Sequence, residues 1–194
     1  GFGPYTPGFD VIEYNNLDVL REALKDPNVA GFLVEPIQGE AGVIVPDENY
    51  WPEVSKLCKK HNILLAFDEV QTGYGRTGKN FAHQLYNVKP DLMGCGKAAG
   101  GGILPVSFVA GRDDVIGTLT PGSEGSTFGG YPLASVVGIY AIKTLIEENL
   151  DIPLLFNSDL RAFRDSIVPY IVAIYNFLYY SQVFRFKNST LPQN

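Results

Sequence analysis

Two residues between Ile63 and Gly102 have the type and the surroundings for chemistry, Asp68 and Lys97. Ile63 to Phe67 is a short, continuous apolar run bounded by polar residues, the pattern of a strand buried on both faces of a parallel sheet. Asp68 is then expected at a strand's carboxyl end, where open α/β sheets bind ligands. Position alone leaves two readings open, a ligand-facing carboxylate or a cap for the loop that follows. Lys97 comes after a second short run, Asp91 to Cys95, and is enclosed by Gly94, Gly96, Gly100, Gly101 and Gly102. Glycine at such density serves close backbone approach or positive φ. A phosphate loop would need Gly at position 91 and Ser or Thr at 98, where this chain has Asp91 and Ala98. A dinucleotide fingerprint fits Gly94, Gly96 and Ala99, but the helix it must open would run into further glycines and Pro105.

A lysine in a dry, glycine-walled niche suits Schiff-base chemistry instead, because desolvation disfavours the ammonium and leaves a nucleophilic amine. A buried carboxylate alongside it points to pyridoxal phosphate, which needs a lysine for its aldehyde and an acid to keep its ring nitrogen protonated. At about 3 Å and an effective dielectric of roughly 20, the raw Coulomb energy of such a pair is about 5 kcal/mol. That is enough to move a proton equilibrium by several orders of magnitude.

The segments AFDEVQTGYGRTG around Asp68, GFGPYTPGF at the start, VEPIQGEAGVIVPD and GSTFGGYPLAS resemble the class III (ω) aminotransferases of pyridoxal-phosphate fold type I. The likeness covers most of residues 1–150. It implies an α/β fold, the helix-covered, mainly parallel sheet of the family's large domain, and pyridoxal 5'-phosphate as cofactor. By the same resemblance Lys97 would be the Schiff-base lysine and catalytic base, Asp68 the partner of the ring nitrogen and Gln71 a contact of the ring hydroxyl. Glu40 would pair with an arginine of the C-terminal domain and open to admit an α-carboxylate substrate. Thr127, with Ser126 beside it, would bind the phosphate of a neighbouring subunit's cofactor, which implies a homodimer with shared active sites. The small-molecule partners would be an amino acid and a 2-oxo acid. Read without the resemblance, Glu40 is a solvated loop carboxylate, Gln71 a loop amide and Thr127 a turn residue.

Composition narrows the field further. The chain has 194 residues, 45% hydrophobic and 19% charged, as a globular domain with one sizeable core requires. Its net charge is −6 and it carries no basic cluster, which argues against a nucleic-acid partner. Cys58 and Cys95 form no C-x-x-C and His61 and His83 no ligand spacing, so no metal site is written and a reducing compartment is expected. The resemblance places that compartment as mitochondrial matrix or cytoplasm. Asn188-Ser189-Thr190 is a glycosylation triplet that carries little weight without a secretory signal.

The elements that must position these residues follow from pattern. Gly1 to Phe9 reads as a loop. A helix is expected over Leu17 to Asp26 with Asn16 as N-cap, and a strand over Val29 to Val34. A loop follows that carries Glu35, structural or near the cofactor, and Glu40. A helix over Glu48 to His61 has Asp47 as its possible N-cap and Trp51 as packing. Glu69 and Arg76 support the loop after the central strand. A strand over Val106 to Gly111 and a helix over Pro132 to Glu148 complete residues 1–150, the central part of a cofactor-binding large domain. Strands alternating with helices predict a parallel, helix-covered sheet.

Residues 151–194 diverge from the family into an apolar, aromatic tail in place of its C-terminal domain, as a misread gene end or splice-variant tail would. Ile167 to Phe184 is free of charge, yet Pro169, Asn176, Ser181 and Gln182 dilute it, which argues against a membrane span. Much of the family's pocket would lie before Gly1 and beyond the tail's start, so the chain is expected to be a fragment. A non-catalytic remnant is the rival reading from a different class.

Overall fold

A computed structural model of the chain describes residues 3–123 and 125–148 and, as backbone, Ser181–Arg185. The short apolar runs form strands: β1 Phe9–Ile12, β2 Val29–Val34, β3 Leu64–Asp68, β4 Leu92–Cys95, β5 Phe108–Gly111 and β6 Ser181–Arg185. The amphipathic stretches form helices: α1 Leu17–Ala23, α2 Tyr50–His61, α3 Asp113–Ile116 and α4 Pro132–Glu147. One mixed sheet results, with strand order β1-β6-β2-β3-β4-β5. Its three central strands, β2, β3 and β4, are parallel, and these are the ones that carry the expected chemistry. β6 runs antiparallel between β1 and β2, and β5 antiparallel along β4. Arg112, just past β5, pairs with Asp91 just before β4 at 2.6 Å and closes that edge.

The helix caps show which local signals decided. The Asn16 side chain accepts the backbone N–H of Asp18 and Val19, each at 3.1 Å, satisfying two of the orphan donors of α1. Asp47 does not cap α2. Its carbonyl accepts Tyr50 N–H in a turn, its N–H donates to Asn15 Oδ1, and Asn49 rather than Asp47 takes the N-cap position of a helix that begins at Tyr50. Asn62 closes α2 in the left-handed conformation at φ 55°.

The core lies between α1, α2 and the sheet, with Leu20, Phe32, Trp51, Val54 and Phe67 fully buried. Trp51 meets Phe67 edge to face at 4.7 Å and Tyr50 at 4.8 Å. It also does more than pack. Its Nε1–H donates to the Pro36 carbonyl at 2.9 Å, which also accepts the Tyr14 hydroxyl at 2.9 Å, so two aromatic donors fix the corner where β2 leaves the sheet. Trp51→Phe keeps most of the apolar volume but loses this bond. We expect it to lower stability by about 2 kcal/mol in urea unfolding, more than an ordinary large-to-large swap.

On the far side, α4 packs over the turn that holds Lys97. A Cβ on Gly138 would stand 3.3 Å from Val106 and 3.6 Å from the Ala99 carbonyl, so the absence of a side chain there permits the approach. The rest of α4 is largely exposed, including Leu133, Val136, Ile139 and Tyr140. No helix among the described residues is long and apolar enough to cross a membrane. Of the charge-free run from Ile167, the last residues, Ser181 to Phe184, are strand backbone. The remainder of that run and the triplet at 188–190 lie outside the described residues.

Candidate active site

β2 and β3 pair in parallel with Val34 opposite Phe67, and Asp68 lies opposite Gly94 on β4. The register therefore places Glu35, Asp68 and the Gly94-Cys95 end side by side, at the carboxyl ends of three neighbouring parallel strands. This is the crevice where such sheets take ligands. Asp68 is 9% exposed and its Oδ1 accepts the Val70 N–H at 2.9 Å. The loop-organising reading is seen directly in that hydrogen bond, and the register sets the carboxylate at the crevice that the ligand-facing reading requires. Burial raises its proton affinity, and the Val70 N–H and the Lys97 cation work against that rise.

Lys97 departs from expectation. It is exposed rather than enclosed in a dry niche, although Gly96 and Gly100 on either side are buried. The reason is the path of the chain. β4 ends at Cys95, Gly96 is extended, and a single turn of 3₁₀ helix over Lys97–Gly100 starts directly at the lysine. That four-residue turn is not the helix a dinucleotide fingerprint requires. The turn is closed by Ala99 N–H to the Gly96 carbonyl and Gly101 N–H to the Ala98 carbonyl, both 2.9 Å. It holds Lys97 at φ 45°, a left-handed conformation that costs a non-glycine residue roughly 1–2 kcal/mol. Strain of this kind persists where the surroundings dictate it, and the Lys97 cation is within electrostatic range of Asp68.

The loop after β2 folds back over the same crevice. Gly39 N–H donates to Glu35 Oε2 at 3.1 Å, and Gln71 Nε2 donates to Glu40 Oε1 at 2.9 Å. Gln71 lies so close over Gly39 that a Cβ there would fall 1.2 Å from its Oε1. Gly39→Ala is thus expected to fold but to displace the Gln71 amide from Glu40. The loss of one such hydrogen bond, about 1 kcal/mol, predicts roughly fivefold weaker retention of whatever the amide holds, read as a dissociation constant.

Glu35 is half-buried and its carboxyl is pushed up to about 7. Burial is the main cause. The Gly39 N–H opposes it, Asp68 adds to it, Lys97 opposes it and Glu40 adds to it. A carboxyl that holds its proton more tightly folded than unfolded favours the fold fully below its ordinary 4.5, and that contribution is lost as pH rises to about 7. Glu35→Gln removes the titration. It should flatten stability over that window and leave the variant more stable than wild type at pH 7, by on the order of 2 kcal/mol.

Glu69 supports the loop, as the sequence indicates, and the structure shows how. It is fully buried and accepts the Thr72 hydroxyl at 2.5 Å, Ala82 N–H at 2.9 Å and His83 N–H at 2.8 Å. One carboxylate thus ties both ends of the loop after β3. Ser126 and Thr127 stand apart from the cluster, on the exposed loop that precedes α4. Their expected role toward a neighbouring subunit is compatible with that placement.

The donor set fits pyridoxal phosphate. An accessible primary amine at Lys97, an embedded carboxylate at Asp68 and an amide seated against Gly39 at Gln71 are the groups its aldehyde and ring would require. Another cleft, among Asp91, Arg112, Asp113 and Lys89, lies at the opposite end of β4 and shares none of them.

Comparison with known proteins accords with this geometry. A family model described as aminotransferase class-III matches residues 5–153. The ornithine aminotransferase of Plasmodium chabaudi chabaudi is 54% identical over 149 residues, which is 77% of this chain and 36% of that protein. The mitochondrial ornithine aminotransferase of Rattus norvegicus is 53% identical over 150 residues, 77% of this chain and 34% of the relative. The chain thus spans about a third of the length of these relatives. A crystal structure of ornithine aminotransferase from Toxoplasma gondii ME49 superposes with a TM-score of 0.74 at 51% identity, covering 77% of this chain and 36% of that one.

Proposed function

We propose, because the chain belongs to the class-III aminotransferase family, that it carries the cofactor centre of a pyridoxal-phosphate-dependent ornithine aminotransferase. In that reaction the δ-amino group of ornithine passes to a 2-oxo acid such as 2-oxoglutarate, giving glutamate semialdehyde and glutamate. The observation that carries the reading is the placement of Asp68 and Lys97, electrostatically coupled, at the carboxyl ends of adjacent parallel strands.

When bound, pyridoxal phosphate supplies an aldehyde and a ring that draws electrons from the amine-bearing carbon of a substrate. Lys97 would hold it through Nζ and, once released, take the proton from the substrate carbon and return it as general base and acid. Asp68 would keep a proton at the ring nitrogen, its burial making the carboxylate's partner hard to lose. Gln71, fixed between Gly39 and Glu40, would orient the ring through its hydroxyl. Glu40, exposed at the mouth, would meet the incoming amino acid or yield to its α-carboxylate.

A homodimer belongs to the same proposal. Phe128 is 80% exposed and lies beside Thr127, and Tyr131, Leu133, Val136 and Tyr140 extend an apolar face along α4. Such a face asks for cover, and a second copy would bring Ser126 and Thr127 to its neighbour's phosphate. The mitochondrial relative supports the matrix, with the cytoplasm as the alternative compartment. The test is a single-turnover experiment: the purified, cofactor-loaded chain is mixed with ornithine, N-acetylornithine or 4-aminobutyrate and its absorbance followed. Change with ornithine well ahead of the other two supports the proposal. Equal response, or preference for either rival, would replace the substrate, and no response to any donor would favour a non-catalytic remnant.

A further inference from the structure

The proposed chemistry uses Asp68, Lys97, Gln71 and Glu40, and leaves the Glu35 carboxyl in the crevice without a task. Glu35 leaves β2 one residue past the Val34–Phe67 pair and so stands beside Asp68 across the parallel ladder. Its position is fixed from three directions. The following residue, Pro36, is held through its carbonyl by Tyr14 and Trp51. The carboxylate accepts Gly39 N–H. Gly39 in turn lies under Gln71, which leaves no room for a side chain there. A purely structural residue at such a corner needs no charge, yet this one stands within the field of every ionisable member of the centre.

We propose that Glu35 is a positioning residue of the centre, a second carboxylate set beside Asp68 across the ladder whose charge state is coupled to the charges of Asp68 and Lys97. The proposal deepens the aminotransferase reading and rests on it for its purpose, although the coupling belongs to this chain's own residues. The groups facing Glu35 are Asp68 from the end of β3, Lys97 from the turn after β4 and Glu40 from its own loop, with Tyr14 approaching from the segment after β1. Asp68 and Glu40 favour a protonated Glu35, and Lys97 favours an ionised one. Burial brings its titration close to neutral pH, the neighbouring charges act on it in opposite directions, and there a change in its charge alters the field in the crevice. An ionised Glu35 adds a second negative charge beside Asp68, and a neutral one removes it.

The two neighbours supply a test with opposite signs. Carboxyl ¹³C NMR follows the Glu35 titration in the full chain without cofactor, in wild type, Asp68→Asn and Lys97→Met. We expect the Glu35 midpoint to fall in Asp68→Asn and to rise in Lys97→Met, each by at least about half a pH unit, roughly threefold in proton affinity. A structural carboxylate would move in neither variant or in the same direction in both. Either of those results would overturn the proposal. If Asp68→Asn does not fold, the Lys97→Met arm decides, because exposed Lys97 contributes little packing. Whether the chain binds pyridoxal phosphate is read separately from its absorbance, so failure of the cofactor reading and failure of the coupling are distinguishable.

Discussion

Glu69→Ala is expected to cost the chain about 3–5 kcal/mol, enough to unfold much of a marginally stable domain. The cost comes from what is left behind. Ala82 N–H, His83 N–H and the Thr72 hydroxyl all donate to this one buried carboxylate. Removing it strands donors that water cannot easily reach, and each hydrogen bond to a charged acceptor is worth roughly 1.5–3 kcal/mol. Thr72→Val, which deletes one donor and keeps the shape, should cost only about 1 kcal/mol. The pair of variants, compared by urea unfolding, separates the carboxylate's role as a hub from that of a simple partner. A loss below about 1 kcal/mol for Glu69→Ala would mean that the loop from Val70 to Phe81 is held by other contacts.

Asp68→Asn should fold and bind pyridoxal phosphate about tenfold to a hundredfold more weakly. The substitution preserves the shape and can keep the Val70 N–H bond through its carbonyl oxygen, so the loop it organises survives. What it removes is the negative charge facing the crevice. A charge-assisted hydrogen bond is worth about 1.5–3 kcal/mol, which is one to two decades in a dissociation constant. The sign of the stability change is independent of the binding change. Because burial raises the proton affinity of Asp68, its ionised form is a burden on the fold at neutral pH, and the neutral amide should leave stability unchanged or slightly higher. An unchanged dissociation constant would remove Asp68 from the cofactor site, whereas a collapse of the fold would mark it as a loop cap alone.

The parts of this architecture that depend on local pattern were legible in the chain itself. Val29–Val34 is a strand over the residues its apolar run indicated, Asn16 caps α1 as its side chain allows, and Asp68 ends the central strand. What depended on tertiary partners was not. Asp47 looked like a cap, but a turn anchored by Asn15, 32 residues away, delays the helix so that Asn49 takes the N-cap position. Lys97 looked enclosed because its neighbours are glycines, but glycine shows only that the backbone is crowded or twisted, not where the side chain points. In the fold Gly96 and Gly100 are buried, while the lysine, at φ 45°, is exposed. Glu69 follows Asp68 directly, and nothing in its sequence context distinguishes a carboxylate bound by three donors from a solvated one. The antiparallel course of β5 was equally hidden, since a strand's direction is set by its connection rather than by its residues.

The central claim is that Lys97, held in a strained turn beside Asp68, is the amine of a pyridoxal phosphate site. It is tested most directly by the absorbance spectrum of the purified chain mixed with pyridoxal phosphate, before and after borohydride, with Lys97→Ala as control. The account predicts a long-wavelength band in wild type that borohydride converts into a covalent adduct at Lys97, and neither band nor adduct in the variant. Identical spectra for the two proteins, with label on other lysines or on none, would contradict it.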